Sequence, residues 1–208
     1  MYQTYPETVL DALWKEIERE FDNESQPNKV NQLLHDIVHR APWSHIGLAP
    51  RIYHWLERNE PQLNQNLRNC IRTLVNGGVS FAELAKLASV KIGNPVVEEN
   101  LPIWFALYVD TLPDEAIPKL NKWLEQLPKD NASIFAQHFV TTLTGKFRHG
   151  EENFFTGGVR NPSSLKTLFL IMTRYIKPED DLDRTTVTCY TPTLRDDAQS
   201  ARELLFSG

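Results

Sequence analysis

Hydrophobic residues return every three or four positions along most of this chain, the spacing that lays apolar side chains along one face of an α-helix. Val9, Leu10, Leu13, Trp14, Ile17 and Phe21 form the first stripe; Val30, Leu33, Leu34, Ile37 and Val38 form the second. Leu63, Leu67, Cys70, Ile71 and Leu74 make a third, closed by Asn76-Gly77-Gly78, residues that tolerate left-handed backbone. Phe81, Leu84, Leu87 and Ala88 follow, and the pattern predicts further helices near residues 95–111, 114–127, 131–147, 162–177 and 194–206. The nearest approach to a period of two is TTVTCYT at 185–191, a short extended stretch or single strand. The expected fold class is all-α.

Short connections punctuated by Pro and Gly make consecutive helices antiparallel hairpins. One internal echo bears on how they stack. PRIYHWLE at 50–57 and PKLNKWLE at 118–125 share the proline and the Trp-Leu-Glu at the same offset, so Trp55 and Trp123 stand 68 residues apart. That distance suits two helical-hairpin repeats, which bury their apolar faces only by stacking. The architecture expected is a HEAT/TPR-like α-solenoid, with an irregular helical bundle as the competing arrangement. Residues 1–208 are expected to form one helical domain, with a possible sub-boundary near 149–161.

Composition narrows the class further. Of the 208 residues, 41% are hydrophobic and 24% charged, the balance of an ordinary globular protein. A net charge of -5 argues against a broad phosphate-neutralising surface, so nucleic acid is not the expected partner. Cys70 and Cys189 fit neither a disulfide framework nor a zinc site, which points to a reducing compartment. The N-terminus lacks a basic segment followed by an apolar run, and IWFALYV and LFLIM are too short to cross a bilayer. A cytoplasmic location without membrane attachment is expected.

Candidate chemistry is sparse. LLHDIVHR places His35 and His39 one turn apart, a spacing that lets two imidazoles share a metal, with Asp36 where a zinc peptidase would carry Glu. At about 100° per residue, however, Leu33, Leu34, Ile37 and Val38 face inward and both histidines fall on the far side. His45 and His54 have no metal-ligand offset to this pair. A metal-dependent hydrolase built on this cluster is therefore the alternative function, not the leading one. VSFAELAKLASV at 79–90 resembles the first helix of a helix-turn-helix, but Pro95, Glu98 and Glu99 spoil the segment that would read DNA. A nucleic-acid-associated helical module is the second alternative. FFTGGVRNPSS lacks the lysine and glycine spacing of a phosphate loop and reads as a turn, with Asn161 as N-cap and Pro162 opening a helix. Arg160 beside that helix start is a candidate anion contact. No catalytic residue or cofactor is predicted.

The C-terminal stretch is rich in charge. Thr193 and Asp196 form a capping-box-like pair, and Leu194, Ala198, Ala201 and Leu205 line one face. Arg195 and Arg202 are then available to pair with Asp180, Asp181 and their neighbours. The run Tyr175-Ile176-Lys177-Pro178-Glu179-Asp180-Asp181, then Asp183-Arg184, Pro192, Arg195 to Gln199, Ala201-Arg202 and Leu204-Leu205 resembles a segment of very large bacterial proteins. Those proteins carry a STAND- or NACHT-type NTPase region with long helical arrays, and some are linked to antiphage defence. The resemblance covers only residues 175–205, includes no nucleotide-binding motif, and implies a helical-array segment of a longer bacterial polypeptide. The expected function is a non-catalytic scaffold that binds a protein partner or neighbouring domains of the same polypeptide. Trp43, Tyr53 and Trp104 are its candidate anchors, since interface energy concentrates in Trp, Tyr and Arg, with a place in the core as the competing reading of each.

Overall fold

The computed structural model describes residues 7–24, 33–144 and 161–176. These residues are helical, with no strand among them. In chain order they form α1 (Glu7–Asp22), α2 (Leu33–Arg40), a 3-10 turn (Pro42–Ser44), α3 (His45–Arg58), α4 (Asn64–Asn76) and α5 (Phe81–Gly93). A second 3-10 turn (Glu98–Asn100) leads into α6 (Leu101–Thr111), α7 (Pro113–Gln126), α8 (Lys129–Thr144) and α9 (Pro162–Met172). The all-α expectation holds for them. The extended stretch expected at 185–191 and the helix expected at 194–206 lie outside the described residues. The chain divides into two compact units, Met1–Leu101 and Pro102–Gly208. Residues 149–160 of the expected sub-boundary fall outside the described residues.

In the first unit, α1 and α3 run in the same direction. Leu10 lies over Gly47, where a Cβ would come within 2.5 Å of its Cδ1. Farther along both helices Phe21 stacks on Trp55, with ring centroids 4.3 Å apart. Arg51 of α3 bridges back to Glu7 at 2.9 Å and Asp11 at 2.6 Å. α4 opens at Leu63, whose side chain offers no cap. Glu24, just beyond α1, supplies the acceptor instead: its carboxylate takes the backbone N–H of Gln62 and of Leu63, and the Asn66 side chain at 2.5 Å. A negative group at the start of a helix satisfies orphan donors and matches the helix dipole. α4 ends on Gly77, where a Cβ would collide with Ala49 and with the His45 carbonyl. Gly78 follows at φ 84, the left-handed conformation that glycine adopts without strain. α5 then starts with a full capping box, Ser80 and Glu83 each satisfying the other's backbone N–H. Ile17, Leu34, Leu48, Ile52, Leu56, Leu67, Ile71 and Leu74 form the sealed centre of this unit.

In the second unit α6 is apolar nearly all round, and the residues from Leu101 to Asp110 are buried. A helix with no polar face must be enclosed by its neighbours. Phe105 meets Trp123 of α7 at 6.1 Å and Phe135 of α8 edge-on at 5.7 Å between ring centroids. α7 contributes Ala116, Ile117, Leu120 and Leu124, and α9 contributes Leu168, Ile171 and Met172. Among the described residues no helix is long and apolar enough to cross a membrane.

Candidate functional site

α2 is short, and its buried residues are Leu34, Ile37 and Val38. That face sets the opposite one: His35 and His39 are both exposed, with ring centroids 4.3 Å apart and planes tilted by 49°. Asp36 pairs with Arg40 at 3.4 Å. His45 is elsewhere, in the core, with its Nε2 3.1 Å from the Ile37 carbonyl, and burial holds its pKa below the ordinary imidazole value. His54 is exposed beside Glu57 at 3.1 Å. The four histidines therefore do not converge, and among the described residues no group of three or more metal-binding side chains forms.

Side chains with chemical potential do gather around the turn between α3 and α4. Lys91 of α5 is only 3% exposed, and its Nζ donates to the Asn59 carbonyl at 2.9 Å. Burial lowers its pKa, while the neighbouring Glu60 carboxylate works the other way. Glu60 is itself buried, and Asn100 donates through Nδ2 to the Pro61 carbonyl at 2.8 Å. Burying an ammonium is costly without a partner, and here it satisfies the Asn59 backbone carbonyl, which the loop must otherwise expose. The arrangement locks residues 59–61 against α5 and the 3-10 turn before α6. Sequence reasoning missed it. The available signal was Lys91 itself, at helical spacing from Leu84, Leu87 and Ala88 on the α5 stripe. Cys70 is sealed in the same unit, and burial pushes its thiol well above the usual range, so it packs as a small hydrophobe.

A cleft of about 420 Å³ opens between α7 and α9. α7 contributes Asp114 and Asn121, α9 contributes Ser163, Ser164 and Thr167, and Arg174 follows α9. Asn161 caps the helix as expected, its side chain accepting from the Ser163 N–H at 3.0 Å, with Pro162 in the first turn. The volume lies within the range of small-molecule sites, and the lining offers hydrogen bonds and both charge signs.

The expected anchors separate. Trp104 is fully buried, so it is a core side chain and cannot serve as an exposed contact for a partner. Tyr53 is half-buried, its hydroxyl donating to the Glu83 carbonyl at 3.4 Å, with its pKa raised by burial and by Glu57 and Glu83. Trp43 remains at the surface, 39% exposed, three positions before Ile46, which is 60% exposed. Arg160, Asp180, Asp181, Arg195 and Arg202 lie outside the described residues, as does Cys189. The sequence matches no family model, and neither the curated proteins nor the solved structures contain a significant match to it.

Proposed function

We propose that this chain is a helical-repeat scaffold that holds a protein partner, or neighbouring domains of the same polypeptide, in place. The observation that carries the reading is the likeness of α3 and α7. Each is 14 residues long, each has its proline sixth, and their boundaries keep the 68-residue offset of the sequence echo. Burial keeps it too. Leu48, Ala49, Ile52 and Leu56 are buried in α3, and Ala116, Ile117, Leu120 and Leu124 occupy the same places in α7. The helices that follow are related at an offset one residue longer. Leu67, Cys70, Ile71, Thr73 and Leu74 of α4 correspond to Ala136, Phe139, Val140, Thr142 and Leu143 of α8, all buried. Two hairpins with one burial pattern are what a stacked repeat requires, because each unit closes its core only against the next.

The binding surface of such a scaffold is its exposed apolar side chains, and in the first unit Trp43 and Ile46 supply a candidate pair. The resemblance of residues 175–205 to the STAND/NACHT-type proteins supports reading the scaffold as part of a larger bacterial polypeptide. A photo-crosslinking amino acid at 43 or 46 in the full-length chain, expressed in its native host, tests the reading. Discrete adducts are expected there and not from the exposed Lys86 position, and excess unlabelled chain should compete them away. The same adducts from all three positions would overturn the assignment, as would none.

A further inference from the structure

We propose that His35 and His39 form an open chelate site for a divalent transition-metal cation (Cu²⁺, Ni²⁺ or Zn²⁺) on the outer face of α2. The inference does not depend on the scaffold reading. The orientation that removes the pair from any catalytic cleft is the one that presents it to solvent. Metal–imidazole bonds of about 2.0–2.1 Å require the two ligating nitrogens to lie within about 4 Å of each other. Residues one helical turn apart meet that demand through side-chain rotation alone, and these rings already sit with centroids 4.3 Å apart on one exposed face.

The ligand type selects the cation. Imidazole nitrogen suits copper, nickel and zinc, whereas calcium and magnesium take oxygen donors. Asp36, on the same helix, pairs with Arg40. Two protein ligands are fewer than the three or four of catalytic and structural zinc sites. The remaining coordination positions face outward, for water or for a donor from another molecule. Packing of one imidazole on the other is the competing account of the same geometry, and the two accounts differ in what a metal titration shows.

The experiment is calorimetric titration of the tag-free chain with Cu²⁺, Ni²⁺ and Zn²⁺, with Mg²⁺ as the negative cation. It is repeated on His35→Asn, His39→Asn and, as a control, His54→Asn. One equivalent of a transition metal is expected to bind in the micromolar range. Each of the first two substitutions should weaken binding on the order of tenfold or more, while His54→Asn leaves it unchanged. Because only the helical chain presents both rings together, bound metal should raise the melting temperature, and either variant should abolish that rise. A cooperative melt of each variant without metal verifies that it folds. One-equivalent binding that survives in both variants would overturn the site, as would binding only at millimolar metal.

Discussion

α3 and α7 share length, proline position and buried face, yet they are held in place by different means. In the first unit Trp55 stacks flat on Phe21 of α1, and the turn that follows α3 is fastened by Lys91 and Asn100. In the second unit Trp123 tilts against Phe105 of α6, a helix buried nearly all round, and only Leu127 and Pro128 separate α7 from α8. The helices that follow differ less: α4 buries Asn66, Asn69 and Thr73 beside its apolar residues, and α8 buries Gln137 and Thr142. An amphipathic helix specifies which face is inward, whereas its surroundings decide whether polar latches or apolar contact supply the fastening.

The comparison is most directly broken at the matched leucines. Leu56→Ala and Leu124→Ala each remove a side chain with no exposed surface, and each should destabilise the chain by about 2–5 kcal/mol in denaturant unfolding. Repeat positions predict similar losses. A large cost at one and a negligible cost at the other would show that the shared pattern does not reflect shared packing. Gly77→Ala probes a contact peculiar to the first unit. Its new Cβ meets Ala49 and backbone carbonyls of His45 and Thr73, which cannot rotate aside, so a loss of about 1–3 kcal/mol is expected from overpacking.

The smallest effect concerns pH. His45 and Pro113 occupy the same first helical position, so only the first unit carries a buried imidazole there. The folded pKa of His45 lies below its unfolded value near 6.5, so the unfolded chain takes up the proton more readily. Its contribution to stability is full above that unfolded value and is lost as pH falls through the lower folded one. His45→Asn should flatten this part of the stability-versus-pH curve, measured by thermal melts from neutral pH downward. An unchanged slope would assign the acid sensitivity to other groups.

Much of the fold was legible because helical periodicity is a local property. The stripes of α1, α2 and α4 contain their buried apolar residues, although Val9 and Leu63 prove exposed, and Asn161 and Pro162 open α9 as their residue types imply. The outward placement of His35 and His39 followed from the same angular argument. Trp104 was less tractable: α6 is apolar on every side, so its pattern has no phase from which to tell an exposed ring from an enclosed one. The latch joins Lys91 to Asn59 and Asn100 to Pro61, residues 32 and 39 positions apart, and no spacing rule pairs them.

The order of apolar and polar residues thus determined on its own that the described chain is helical, roughly where each helix runs, and which side of it turns inward. These outcomes depend on neighbours within a few turns. Tertiary structure alone decided that Glu24 caps α4, that a buried ammonium holds the α3–α4 turn, and that the chain divides after Leu101. Burial of a polar group is tolerable only where a distant segment delivers its partner, and that delivery is a property of the whole packed chain.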